Sequence, residues 1–379
     1  MDENQQYDVI IIGGGLAGLT LSIQLSRNNH KVALFEKEAY PFHKVCGEYI
    51  SMESWNFLES LGLPLSSMLL PRIKNLIISS PDGTTLKAPL PLGGFGISRY
   101  YIDNELKRIA EENKVSIYEK CKVNEVLYEK DRFSVSTAAG FFSAKICCGA
   151  FGKRSNLDIK WKRDFLHHRN NKLSNYVGVK YHIKTSFAAD TITLHNFKDG
   201  YCGVSKIEED KYCLCYLTNA ANLTDNDNSI PELEENVLKK NKYLSQIFNN
   251  SEILFKTPVT ISQISFNKKT LVHDHVLLLG DAAGMITPLC GNGMSMAMHA
   301  SKILALLLKD FLTGNLSREQ LEKIYTKQWR KTFAARLFTG RVIQQLFGKP
   351  WGTNVFIKVM KLLPFVTKKI IRLTHGKPF

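Results

Sequence analysis

After a polar start the chain places four apolar residues in a row, 9–12, the pattern of a strand buried on both faces of a parallel sheet. Residues 19–25 carry apolar side chains at helical period, and 31–35 turn apolar again as a second strand. Helical periods recur over 52–61 and 97–112, and short strands are predicted over 115–118, 122–129, 132–136 and 142–148. Between the two helices, 76–79 and 84–90 flank a Pro81-Asp82-Gly83 turn, with 91–96 as a loop. From 156 the texture changes to strands with long polar connections, at 175–183, 191–197, 201–206 and 212–217, then a polar loop over 219–229 and a helix over 231–248. A buried strand returns at 276–279, a helix follows to about 312, and the tail from 319 is helical with interruptions at Gly340 and Pro350. This order predicts an α/β plus β protein. An α/β domain (1–75, 97–155 and 265–315) takes an inserted antiparallel-sheet domain (76–96 and 156–264) and ends in a basic helical region, 316–379.

The first strand runs straight into Gly13-x-Gly15-x-x-Gly18, and the second ends in Glu36, 18 residues beyond Gly18. Gly13 allows a tight turn, Gly15 lets the backbone approach a diphosphate, and Gly18 lets helix and strand pack closely. Leu16 and Ala17 lie in the first turn of the helix, whose free N–H groups suit phosphate. Glu36, with Lys37 after it, stands where a carboxylate accepts ribose hydroxyls, and its charge disfavours a 2′-phosphate. A dinucleotide is therefore expected across this turn.

At 379 residues and 44% hydrophobic content the chain can bury two cores around one interface. No apolar stretch reaches the length of a bilayer span, and the first seven residues are polar and acidic, so a cytoplasmic location is expected. The eight cysteines, at 46, 121, 147, 148, 202, 213, 215 and 290, include no CxxC pair and no His/Cys ligand spacing, which supports neither disulfides nor a metal site. The net charge of +15 is concentrated late: no Asp or Glu follows Glu322, while residues 323–379 hold 13 Lys and Arg. No nucleic-acid motif accompanies that charge, and no aromatics interleave with it as a stacking platform would require. An anionic surface is the expected partner instead.

Three separated stretches, in order, carry a further pattern: the glycine turn, Arg99 at the start of its helix, and Gly280-Asp281 followed by Pro288-x-x-Gly291-Asn292-Gly293-Met294. Together they resemble the FAD-dependent group A flavoprotein monooxygenases, the related geranylgeranyl reductases and the flavin-dependent halogenases. The resemblance implies a Rossmann-type, glutathione-reductase-like FAD-binding domain. It places Arg99 near the phosphate and ribityl region, Val123 beside the adenine, Asp281 on a ribityl hydroxyl, and the helix start after Pro288 against N1 and the C2 carbonyl of the ring. Lys44-Val45-Cys46-Gly47-Glu48 resembles the Lys-x-Cys-Gly loop of geranylgeranyl reductases, which approaches the flavin; Cys46 and Glu48 are then candidate catalytic groups. Cys290, beside the ring-facing turn, is a weaker candidate of the same kind.

Two departures stand out. Phe151-Gly152 replaces the Asp-Gly pair of the monooxygenases, which bears on reduction by NAD(P)H, though Lys153 and Arg154 keep the basic character. Gly200-Tyr201-Cys202-Gly203-Val204-Ser205 stands where the relatives have aromatic-rich strand motifs, leaving Tyr201 as the aromatic expected to line the substrate side.

The expected activity is hydroxylation of a hydrophobic aromatic or phenolic-lipid substrate through a flavin C4a-hydroperoxide, with NAD(P)H as donor. Reduction of polyprenyl double bonds is the alternative within enzymes, and a flavin-binding sensor or lipid carrier without turnover the alternative outside them. In the tail, a 100° wheel over 354–373 puts Lys358, Lys361, Lys368, Lys369 and Arg372 on one arc and Phe356, Met360, Leu363, Ile370 and Ile371 opposite. That pattern suits either an anionic membrane surface or a terminal helix packed on its own domain, with Pro364 dividing it into two helices.

Overall fold

The computed structural model describes residues 5–167, 174–347 and 349–379, without the side chains of Cys290, Leu346 and Pro350. Two sheets organise it. In the first, the strand Gln6–Ile12 is central, paired in parallel with Val32–Phe35 on one side and Gly140–Gly149 on the other. Ser116–Tyr118 extends one edge in parallel and Val276–Leu278 the other, and an antiparallel hairpin, Val123–Glu129 with Arg132–Thr137, hangs from Gly140–Gly149. Val9 to Ile11 and Val32 to Phe35 are buried throughout, as strands covered on both faces require. The helices Leu16–Arg27, Arg99–Glu112 and Gly293–Leu312 pack here, the first and last joined by a hydrogen bond between Thr20 Oγ1 and Ser301 Oγ (2.7 Å).

The second sheet has nine strands among the described residues, and Tyr176–Lys184, Tyr212–Asn219, Gly200–Lys206 and Thr191–Phe197 form its antiparallel centre. Arg72–Ser79 joins Thr191–Phe197 in parallel, Thr85–Gly96 follows it, and Tyr49–Ser51 closes that edge. The strand therefore runs through 91–96, where a loop was expected. Its prolines, Pro89 and Pro91, sit where the pairing with Arg72–Ser79 slips between Ile73 and Asn75. The helix expected over 231–248 is divided into Ile230–Asn236, a 3₁₀ turn and Lys242–Asn250, with Asn241 capping the latter.

Alternation along these strands gives the second sheet two unlike faces. One packs Val177, Val179, Tyr181, Tyr216 and Cys202 against the 230–250 helices. The other carries Tyr176, Tyr201, Leu217 and Leu194 at one end, and Lys180, His182, Ser205 and Cys213 at the other. The helix Arg318–Leu346 continues unbroken through Gly340, contrary to expectation; it starts at a capping box on Ser317 and ends where Phe347 turns extended (ψ 150°). Two further helices, Pro350–Leu362 and Pro364–Thr374, divide at Leu363 before Pro364 as predicted.

Candidate functional site

The glycine turn is built as its spacing implies. Gly13 has φ +109°, and a Cβ there would overlap the Ala150 carbonyl, while a Cβ on Gly18 would overlap the carbonyl of Gly13. Gly15 faces two cations: a Cβ placed on it would meet nothing closer than Arg99 Nη2 at 3.6 Å and Lys44 Nζ at 4.0 Å. Leu16 and Ala17 open a helix with no side-chain cap and no acid in its first turn, so its N–H groups remain available to an anion. Glu36 is buried and its carboxylate accepts from the N–H groups of Gly14 (2.8 Å) and Glu38 (3.1 Å), which ties the second strand to the turn. Lys37 points to solvent beside Glu38. Tyr40, which the motif did not reveal, donates its hydroxyl to the Gly14 carbonyl.

Arg99 starts a helix capped by Ser98 and makes a bidentate pair with Asp103 (2.8 and 2.7 Å), which also accepts from Lys44 Nζ (2.9 Å). Burial pushes the Asp103 carboxyl up, and Arg99 and Lys44 outweigh it and hold the group below its usual value. Two cations thus share one carboxylate, leaving a net positive corner beside Gly15.

Gly280 and Asp281 follow the strand Val276–Leu278 after one residue, Leu279. Lys269 Nζ bridges the carbonyls of Asp281 (2.7 Å) and Lys153 (2.6 Å). Burial raises the Asp281 carboxyl, opposed by the charges of Lys269, Arg99 and Lys153, so the second and third motifs meet electrostatically. Burial also lowers the amines of Lys269 and Lys153 to about 8. Beyond Pro288, which starts a single 3₁₀ turn, Gly291 has φ +59° and lies against the Tyr49 ring. Asn292 then leads into Gly293–Leu312 without a side-chain cap. Its Nδ2 donates to the Thr374 carbonyl (2.9 Å), while its Oδ1 and the hydroxyl of Ser295 are buried without partners among the described residues. Met294 Sδ lies 3.6 Å from Cys46 Sγ, bringing the 44–48 loop onto this helix start. Val123 lies apart at the base of the hairpin, its carbonyl accepting from Asn156 Nδ2 (3.0 Å).

The loop itself is gripped by the second sheet, one side chain from each of three adjacent strands holding the carbonyls of residues 44, 46 and 47. Lys180 Nζ donates to Lys44 O (3.2 Å), Cys213 Sγ to Cys46 O (3.2 Å) and Ser205 Oγ to Gly47 O (3.1 Å). Glu48, at φ +54° and fully buried, completes the grip. Its carboxylate meets Lys180 Nζ (2.5 Å), His182 Nε2 (2.7 Å) and the Arg99 N–H (2.7 Å). Burial pushes the Glu48 carboxyl up, but Lys180 and His182 bring it below its ordinary value; Lys180, lowered by burial, is raised overall by Glu48. His43 stands edge-on to His182 (5.1 Å), and burial lowers it to about 4. Burial raises the Cys46 thiol, so it stays protonated at neutral pH.

Lys180, His182, Ser205 and Cys213 were missed by sequence reasoning. The available signal was a lysine and a histidine two residues apart inside an otherwise buried apolar strand, both on one face. The structure brings Cys46 and Glu48 together with Lys44, Arg99 and Met294, but not with Tyr201. Tyr201 lies four residues along its strand from Ser205, about 13 Å away. It packs among Ile78, Leu217, Ile357 and Met360, with Met285 and Leu289 of the ring-side turn at the edge of that cluster. No metal-binding group of His, Cys, Asp and Glu occurs among the described residues.

These residues fit FAD. A side chain at Gly13 or Gly18 would overlap the turn's own backbone, two cations face Gly15, and both helix starts lack a side-chain cap, one with buried polar atoms that have no partner among the described residues. A family model described as "FAD binding domain" matches residues 8–43, and one described as "Squalene epoxidase" matches 233–346. Among curated proteins, conditioned medium factor receptor 1 of Dictyostelium discoideum is 23% identical over 88% of this chain and 69% of its own length. A digeranylgeranylglycerophospholipid reductase of Methanococcus vannielii is 23% identical over 86% of this chain and 83% of its own. Among solved structures, the flavin-dependent brominase Bmp2 superposes with a TM-score of 0.79 at 18% identity, covering 97% of this chain and 93% of that one. With the glycine turn, Arg99 and Gly280-Asp281 in one frame, the chain has the fold of the FAD-dependent halogenases and geranylgeranyl-reductase-like flavoenzymes and is similar in sequence to FAD-dependent oxidoreductases.

Proposed function

We propose that the chain is an FAD-dependent monooxygenase that adds oxygen to a hydrophobic, electron-rich lipid or aromatic substrate, with NAD(P)H as electron donor. The observation that carries the reading is the apolar cluster around Tyr201, which reaches the ring-side turn through Met285 and Leu289. FAD, when bound, supplies the electron transfer and oxygen activation. Gly13 to Gly18 and Glu36 would hold its adenosine end, Arg99 and Lys44 its diphosphate, Asp281 the ribityl chain, and the start of Gly293–Leu312 the ring. The protein's own work is to orient an oily substrate and keep water away from it, and the inner sides of the C-terminal helices do this by closing over Tyr201. The match to the squalene epoxidase model, over 233–346, supports oxygen addition to an apolar lipid.

A second reading, reduction of an isolated double bond, draws on the Cys46–Glu48 loop. A protonated thiol held beside Met294 is suited to proton delivery, and the reductase relative supports it. One experiment separates the two. The flavin-loaded enzyme is incubated with NAD(P)H and a lipid extract, with and without ¹⁸O-labelled oxygen, and products are weighed by mass spectrometry. Gain of one labelled oxygen atom supports the first reading, gain of two hydrogens without oxygen the second. Neither product, with flavin bound, overturns both.

A further inference from the structure

The last two helices each carry two stripes, and only one is used by the fold. On Pro350–Leu362 the inner stripe is Thr353, Ile357 and Met360, all buried; on Pro364–Thr374 it is Thr367, Ile371 and Thr374. These stripes enter the clusters beneath the second sheet, and Thr367 Oγ1 ties the two helices by donating to the Met360 carbonyl (2.8 Å). The outer stripe of the first helix is Trp351, Val355, Lys358, Val359 and Leu362, spaced as one helical face. Trp351 is 81% exposed and Leu362 79%. On the second helix the outer stripe is Phe365, Lys368, Lys369, Arg372 and Leu373, with Phe365 68% exposed. Because both inner stripes face the same sheet, both outer stripes leave the protein on its far side.

The apolar arc that the sequence set opposite the lysines is largely the inner side of these helices. Of the apolar arc expected opposite the lysines, Met360 and Ile371 are buried in the protein's own core, and Phe356 and Ile370 pack at its edge. The outward side is a second set of large apolar residues interleaved with the lysines themselves.

We propose that this outer face docks the protein on an anionic lipid bilayer, with Trp351, Leu362 and Phe365 entering the headgroup boundary and Lys358, Lys361, Lys368, Lys369 and Arg372 meeting the lipid charges. Large apolar side chains spaced between long basic ones suit an interface that is oily below and anionic above, since lysine stems lie along the apolar layer and lift their charges to it. No described helix is long and apolar enough to cross a membrane, so the face lies on the surface. A second copy of the chain is a poor occupant: no Asp or Glu follows Glu322, so two such faces would meet with like charges. The inference holds for either reaction above and does not rest on which one occurs.

The test is co-sedimentation of the flavin-loaded full chain with phosphatidylcholine vesicles, with and without phosphatidylglycerol. Binding is expected to the anionic vesicles, at least about tenfold tighter than to neutral ones and weakened by salt. Leu362→Ser/Phe365→Ser and Lys358→Glu/Lys361→Glu each weaken it more than about tenfold while thermal midpoint and flavin content stay unchanged. Trp351 supplies an independent readout: vesicles blue-shift the emission of the wild-type chain, and Trp351→Phe removes the shift. Equal binding to both vesicle types, or no binding at all, overturns the proposal. So does self-association lost in Leu362→Ser/Phe365→Ser without vesicle binding, which would give the face to a second copy.

Discussion

The two ends of the proposed cofactor site are built by different means. The adenosine end is local: turn, helix and Glu36 come from one run of chain, and Glu36 accepts from Gly14 only 22 residues away. The ring end is assembled from distance. The 44–48 loop meets Lys180 132 positions later, Ser205 158 later and Cys213 167 later, and the turn beyond Pro288 is closed by Thr374 of the tail. One end is held by backbone geometry, the other by buried charge, and the two should break differently.

The largest effect is expected at the local end. Gly18→Val puts a side chain into the Gly13 carbonyl and should leave a protein that neither accumulates nor retains FAD, checked by soluble yield and visible absorbance. At the ring end, Lys180→Met strands the buried Glu48 carboxylate and should cost about 3–5 kcal/mol in denaturant unfolding. The double variant Lys180→Met/Glu48→Gln, in which neither buried charge remains, should lose clearly less than the two single losses added.

The same pair gives the distant end a pH signature. The Glu48 carboxyl lies below its ordinary 4.5 in the folded chain, so its contribution is present above that value and is lost as pH falls through the folded one. The acid limb of stability against pH should therefore be steeper in wild type than in the double variant; equal limbs would show that the grip carries no stabilising charge. Lys153 and Lys269 shed their protons at about 8, and a protonated amine attracts an anionic cofactor. FAD affinity should then fall roughly threefold to tenfold between about pH 7 and about pH 9, a fall that Lys153→Gln reduces. Smallest of all, Trp351→Ser on the outer stripe should shift stability by less than about 0.5 kcal/mol. Ile357→Ala on the inner stripe of the same helix should cost about 2–5 kcal/mol.

Legibility in the sequence follows the same division. Contiguous apolar runs, three glycines and a strand-ending acid are enough to specify the first sheet and its turn, because their contacts lie within a few dozen residues. The second sheet is legible as strands, but which of its side chains reach the loop depends on strand order, which one sequence does not reveal. Lys180 and His182 were visible only as polar interruptions in a buried strand. In the tail the sequence separates the lysines from Met360 and Ile371, which are buried, but offers no sign that Val355, Val359, Leu362 and Phe365 stand exposed among those lysines.

The central claim is that the glycine turn, Arg99 and Gly280-Asp281 converge on one FAD. Titrating the flavin-stripped protein with FAD, followed by flavin fluorescence and by absorbance after gel filtration, tests it most directly. The account predicts saturable quenching and a yellow protein carrying one FAD per chain, with affinity lost in Arg99→Ala. A chain that remains colourless and leaves FAD fluorescence unchanged would contradict it.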